Sequence, residues 1–453
     1  MNEQSPLFPS LPESTSVTPQ TPSQDPIPRV LMPQRNQIAL RPIDLEATVG
    51  PEHPVRNVWA FVEGVDLSAL YAEIGSVEGR AGRAAIDPRI LMALWLYATV
   101  DGVGSAREIE RLTEVHDAYR WICGGVNVNH HTLSDFRCAR SELLDEVLTH
   151  SVAVMLDKGL VKLERVAQDG MRVRASAGAA SFRRRSTLEC CLEEAQAQVA
   201  TLRAEIDADP QAGNRRRCAA GLRAAEERQQ RVAQALAQLA EVEEQKKKKP
   251  VPKKDNETEQ QHAKRTEPRA SSTDPEARVM KMADGGFRPA YNVQFATATD
   301  TQLIVGVNVS NTGSDLGQLP PMLDQVEQRY GQRPAEWLVD GGYARHDDIE
   351  EADGRGTTVY APVPKPKDPS RDPHLPRGDD SAAIAQWRQR MGGSEAKDIY
   401  RQRAATAECV NAIARGRGLS RFVVRGLNKV KSVALWYALA HNLMRAVALT
   451  APA

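Results

Sequence analysis

Around residue 161 the hydrophobic period of this 453-residue chain changes from helical to alternating, and that switch restricts the folds open to it. Residues 37 to 160 carry helical spacing with start and stop signals. Asp87 before Pro88 reads as an N-cap with proline at the first helical position, opening "RILMALWLYATV". Ser105 with Glu108 forms a capping-box pair ahead of "IERLTEVHDAYRWI", which Gly124 and Gly125 close. Thr132 stands where it can cap "LSDFRCARSELLDEVLTHSVAVMLDKG". Two capped helices joined by a short polar link to a third, with Arg137 and Arg140 near its start, suit either a helix-turn-helix or a plain helical bundle.

Beyond the switch, "LERVAQDGMRVRAS" alternates, with Asp169 and Gly170 interrupting it. The stretch 287–311 holds two alternating runs that turn near Thr299 and Asp300, an antiparallel β-hairpin. "EWLVD" is a buried strand ending at Asp340, "DDIEEADG" a short helix and "TTVYAPV" another strand; from about 381 the chain is helical. Strands this far apart in sequence predict an α/β layer in which their ends meet. Residues 186–245 interrupt it: Leu188, Leu192, Ala195, Val199, Leu202 and Ile206, then Leu222, Ala225, Val232, Leu236 and Leu239, follow heptad-like spacing around "DADPQAGN". A turn between two such stretches predicts an inserted antiparallel coiled-coil hairpin. Residues 246–278 read as a mobile basic linker and 1–36, rich in Pro, Ser, Thr and Gln, as a disordered tail.

Lys plus Arg (59) equals Asp plus Glu (59), so any surface that attracts nucleic acid must be local. "FRRRS" at 182–186, "NRRRC" at 214–218 and the lysines from Lys246 to Lys254 are such runs, readable as solvated arms or as phosphate contacts. Six cysteines with no C-x-x-C pair argue against zinc modules and a disulfide scaffold, and fit a reducing cytoplasm. No secretory signal is visible, and the strongly apolar segment 90–100 is too short to span a bilayer, so no membrane role is expected.

Asp340 ends a strand ahead of Gly341 and Gly342, where Asp-Gly also opens an ordinary turn. Its use in chemistry depends on other carboxylates. In "YRQRAATAECVNAIARGRGL" at 400–419, Arg401, Glu408 and Arg415 recur at seven-residue steps and share a helix face, as a salt-bridged surface also would.

Taken together, "RVAQDGMRVRASAG", "LVDGGYARHDDI" and the segment from Tyr400 onward resemble the DDE transposases of bacterial insertion sequences. The similar branch has an N-terminal helical domain, an RNase H-like core and a C-terminal Tyr-Arg-Glu signature; "IDPRILMALWLYATVDGVGSAREIERL" and "HHTLSDFR" extend the likeness to about 37–449. The resemblance implies a helical DNA-binding domain over 37–160 and a catalytic domain over 161–453. Its catalytic, metal-holding acids would be Asp169, Asp340 and Glu408, with Mg²⁺, or Mn²⁺ in its place, as cofactor. Asp169 would be the shared ligand, and Gly341 and Gly342 would let DNA approach. Tyr400 and Arg403 match the family's Tyr-x-x-Arg element, and Arg415 stands where many relatives carry Lys. The step from Arg403 to Glu408 is five residues against four in a related branch, so Arg401 sits better on the Glu face. Arg401, Arg403 and Arg415 would contact phosphates and Arg137 and Arg140 would read the terminal inverted repeats of double-stranded DNA. The expected assembly is a nucleoid-associated homodimer that cuts element ends and joins them to target DNA. The rival readings are a metal-dependent nuclease without strand transfer and a catalytically silent DNA-binding protein.

Overall fold

Capping side chains decide where the amino-terminal helices begin. The computed structural model describes residues 42–76, 79, 84–208, 215–248, 252–366 and 368–450, so the tail expected over 1–36 lies outside the described residues. Helices α1 (Pro54–Glu63), α2 (Ser68–Ala72) and α3 (Pro88–Val100) come first, and the Asp87 carboxylate caps α3 by accepting from the Arg89 amide. Two segments read as single long helices are each broken. α4 (Ala106–Val115) stops at His116, whose extended backbone and ring nitrogen, accepting from the Ala118 amide, start α5 (Asp117–Cys123). Asn129, and not Thr132, caps α6 (His130–Ala139); Arg140 then leaves helical geometry before α7 (Ser141–Asp157). At His116 and Asn129 a side chain that satisfies a free amide outranks hydrophobic period.

β1 (Arg165–Arg174) runs unbroken through Asp169 and Gly170, where the Asp-Gly pair predicts an interruption. β2 (Phe182–Arg183) leads to α8 (Arg185–Ala208) and α9 (Arg215–Lys248). These two helices pack antiparallel, with Arg185 paired to Glu243 and Arg203 to Glu226, and Leu188, Val232, Ala235 and Leu239 bury a small core with Ala270. Much of the segment read as a mobile linker is ordered. α10 (Glu259–Thr266) opens with a reciprocal Thr258–Gln261 capping box, and β3 (Ala270–Ser271) pairs with β2. Neither device leaves a hydrophobic period in the sequence.

β4 (Arg278–Lys281), β5 (Phe287–Ala298) and β6 (Ile304–Ser310) follow, then α11 (Leu319–Tyr330), β7 (Glu336–Leu338), α12 (His346–Gly354) and β8 (Thr358–Tyr360). They complete a mixed sheet ordered β4-β5-β1-β7-β8, with β6 also on β5. β5 is antiparallel to β1, β4 and β6, whereas β1, β7 and β8 are parallel. The chain ends in α13 (Ala382–Gly392), α14 (Ser394–Arg403), a π-helical turn (Ala404–Glu408), α15 (Cys409–Gly416) and α16 (Leu427–Thr450). α16 lies against α3, α6, α7 and β6, so the helical region and the sheet share one continuous core. No described helix is long and apolar enough to cross a membrane.

Candidate active site

Strand register brings the first two acids together. β7 lies parallel to β1 with Leu338 opposite Ala167, and two residues further along each chain stand Asp340 and Asp169. Side chains alternate along a strand, so both carboxylates leave the same face. The Asp340 Oδ1 accepts from the Gly342 amide at 2.8 Å and so caps the short 3₁₀ turn Gly341–Tyr343, while Oδ2 stays 3.9 Å from the Arg403 guanidinium. The turn uses one oxygen of Asp340 and leaves the other facing Arg403.

The third acid depends on the π turn. In a regular α-helix a five-residue step rotates a side chain about 140° away from its starting face. The wider turn over Ala404–Glu408 carries Glu408 back over Arg403, whose Nη1 donates to Glu408 Oε1 at 2.7 Å. The Nη2 of the same guanidinium donates to Asp169 Oδ1 at 2.9 Å. All three acids therefore face one buried arginine. This corrects the expectation that Arg401 sits better on the Glu face, which follows from an unbroken helix: its side chain is 78% exposed and paired with Asp398. Arg415 is exposed on α15. Tyr400 is half-buried, and burial raises its hydroxyl above the ordinary tyrosine pKa, with Asp340, Glu408 and Asp169 adding to the rise and Arg403 opposing it. The Gln302 amide donates to the Ala405 carbonyl at 2.8 Å within the π turn.

Asn411 carries no motif in the sequence that marks it. It is buried, one helical turn beyond Glu408, and its Nδ2 donates to Asp169 Oδ2 at 2.8 Å. Burial lifts the Asp169 carboxyl above its usual range; Arg403 pulls it down and Asp340 pushes it up. A second polar layer lies on the opposite face of β1. Asp315 Oδ1 there accepts from Asn292 at 2.7 Å and Gln294 at 2.8 Å, and Oδ2 accepts from Arg172 at 3.0 Å. Tyr343 donates to Gln294, and Trp337 to Gln168 at 3.1 Å. Asp315 lies in a loop with no periodic signal, so nothing in the sequence distinguishes it.

Arg137 requires the opposite correction. It is 6% exposed, its Nη1 donates to the Gly104 carbonyl at 2.8 Å and its guanidinium lies 4.6 Å from the Trp95 ring centre. A buried arginine committed to its own fold has no face left to read bases. Arg140, partly exposed, pairs with Glu73.

Among the described residues, no three His, Cys, Asp or Glu side chains stand close enough to hold a metal ion as they are. The donor chemistry nonetheless suits a hard divalent cation. Three carboxylates converge on a position already filled by positive charge, the Arg403 guanidinium.

Residues 43–139 match the family model of a transposase domain (DUF772), and residues 257–443 match that of the transposase DDE domain; together they span more than half of the chain. The chain belongs to the DDE transposases. No curated protein and no solved structure matches it. Its activity is that of the family, DNA cleavage and strand transfer. Asp315, Asp340, Arg403, Glu408 and Asn411 of this transposase fall within the DDE match, whereas β1 with Asp169 lies outside both matched stretches. Asp169 joins the site through strand register and through Arg403.

Proposed function

We propose that Asp169, Asp340 and Glu408 are the acids with which this transposase holds two divalent ions, Mg²⁺ or Mn²⁺, to cut element ends and join them to target DNA. What carries this reading is the convergence of three carboxylates, from β1, the end of β7 and the π turn, on one cationic group. When bound, such ions lower the nucleophile's pKa and stabilise the leaving oxygen. Asp169 is the shared ligand, with Asn411 fixing its carboxylate plane through Oδ2. Asp340 offers the oxygen its turn does not use, and Glu408, about half exposed, closes the set from the helix side.

Tyr400 and Arg403 lie at this cluster and supply phosphate contacts, and the exposed Arg401 and Arg415 are further candidates on the helix surface; Arg140 is the remaining candidate reader of the terminal inverted repeats. The core is RNase H-like: an antiparallel set continued by two parallel strands, with acids at adjacent strand positions, supports it. α8 and α9 form the inserted coiled-coil hairpin, supported by their antiparallel ion pairs and small apolar seam. The enzyme works on double-stranded DNA at the nucleoid as a homodimer, because two ends must be handled together.

The test uses a labelled element end and Mg²⁺. Asp169→Asn, Asp340→Asn and Glu408→Gln should each lower cleavage by about a thousandfold, the several kcal/mol that metal assistance supplies. Cleavage by Asp340→Asn equal to the wild type would remove the assignment. A pre-cut end incubated with target plasmid should give joined product; cleavage without joining would point to the nuclease.

A further inference from the structure

Arg403 engages the same oxygens that a metal would need. Its Nη2 lies 2.9 Å from Asp169 Oδ1 and 3.9 Å from Asp340 Oδ2, and its Nη1 lies 2.7 Å from Glu408 Oε1. We propose that Arg403 is a place-holding cation, which keeps the three acids gathered in the metal-free transposase and must leave them before divalent ions can bind. This rests on the reading of the acids as metal ligands and adds a competitor for them.

Three further observations support the exchange. The acids would repel each other if left uncompensated, and a guanidinium with a fork of donors can hold several carboxylates at once. Its hold is incomplete, because Arg403 Nε is buried without a hydrogen-bond partner. Two of the acids also have anchors of their own: Asp169 Oδ2 accepts from Asn411 at 2.8 Å and Asp340 Oδ1 from the Gly342 amide at 2.8 Å. Those two stay in position when Arg403 departs. Glu408 has its hydrogen bond from Arg403 and a half-exposed side chain, so it is the acid that re-aims.

Departure also gives the arginine a second role. A guanidinium released from carboxylates is a planar bidentate partner for a phosphate group. Metal binding therefore prepares Arg403 for DNA, and DNA that captures Arg403 opens the acids to metal. By linkage, each ligand strengthens the other by the same factor. Arg403 is here a positioning residue, acting on the acids before the chemistry.

The experiment titrates Mn²⁺ into the full chain without DNA, reading free Mn²⁺ by electron paramagnetic resonance, with folding checked by circular dichroism. Arg403→Gln should bind Mn²⁺ about tenfold more tightly than the wild type, because one positive charge within contact distance is gone. Arg403→Lys keeps the charge but cannot span three acids, and should fall between the two, which maintains the test if the glutamine variant does not fold. A purely structural arginine would give the reverse, looser acids and weaker binding. Affinity no higher in either variant, while Asp340→Asn weakens the wild type, overturns the place-holder and leaves the metal site standing. Equal Mn²⁺ binding by the wild type and Asp340→Asn would instead remove the metal reading, and the place-holder with it.

Discussion

Gly170 shows how a single residue can carry two unrelated constraints. Its neighbour Asp169 faces the acid cluster, and a Cβ on Gly170 would meet Gln294 Nε2 at 2.4 Å and Asp315 Oδ1 at 2.5 Å behind the strand. Gly170→Ala should therefore cost about 1–3 kcal/mol in denaturant unfolding, whereas Gly341→Ala, with nothing within 4 Å of the new carbon, should stay within about 0.5 kcal/mol. His441 gives the clearest pH dependence. Burial holds its pKa down to about 4, with Arg417 and Arg445 adding to the effect, and the neutral ring donates from Nε2 to the Gln302 carbonyl at 2.8 Å. An unfolded histidine takes up its proton near 6.5, so the unfolded state binds more protons between about pH 6.5 and 4. The contribution of the neutral ring is complete above pH 6.5 and falls by about 3 kcal/mol as the pH drops towards 4. Burial raises Asp169, Asp274 and Asp348, which shifts stability in the opposite direction, so the informative quantity is a difference. The stability gap between wild type and His441→Gln, measured by urea unfolding, should shrink on acidification; a gap independent of pH would contradict the assignment. At this scale the strand positions of Asp169 and Asp340 were legible, because one sits within an alternating run and the other closes a short apolar one. Asn411 and Asp315 were not, since a polar residue in a helix or loop gives no sign of facing inward. Arg137 reads as exposed in the sequence because it is a cation beside a polar link, while its burial depends on Trp95 and Gly104, which are distant in sequence.

Among elements, the π turn decides whether the third acid reaches the other two. Five residues separate Glu408 from Arg403, and only a widened turn keeps both on one face. Deleting Ala405 shortens the step to four, for which an ordinary α-helix gives the same facing, so the variant should fold and keep Mg²⁺-dependent cleavage within about tenfold of wild type. Inserting an alanine after Ala405 should rotate Glu408 away by about 100° and abolish cleavage. The reverse pattern would show that the π geometry itself, and not the shared face, is what the site requires. The long alternating runs of β1, β5 and β6 and the capped start of α3 could be read from the sequence, since period and caps are local. Helix breaks at His116 and Arg140, and the π turn, could not, because a period of 3.6 continues through each without a marked change in composition.

Over the whole molecule, the last helix closes the first part of the chain. α16 packs on α3, α6 and α7, and Trp436 donates to the Arg137 carbonyl at 3.2 Å, so the amino-terminal helices have no core separate from the sheet. Trp436→Ala should cost about 3–5 kcal/mol, and hydrogen exchange should then speed up in α3 and in β1 together. Loss of protection confined to α3 would instead indicate two independently stable units. An apolar stripe in sequence shows that a helix buries one face but not which element covers it, so the boundary near residue 161 marks a change of period and not a break in the core. The central claim, that Asp340 contributes an oxygen to a divalent ion beside Asp169 and Glu408, is tested most directly by changing the donor atom. Asp340→Cys offers a soft thiolate where Mg²⁺ requires hard oxygen, while Mn²⁺ accepts softer donors. Cleavage of a labelled element end by this variant should be lost in Mg²⁺ and partly restored in Mn²⁺; full cleavage in Mg²⁺ would contradict the account.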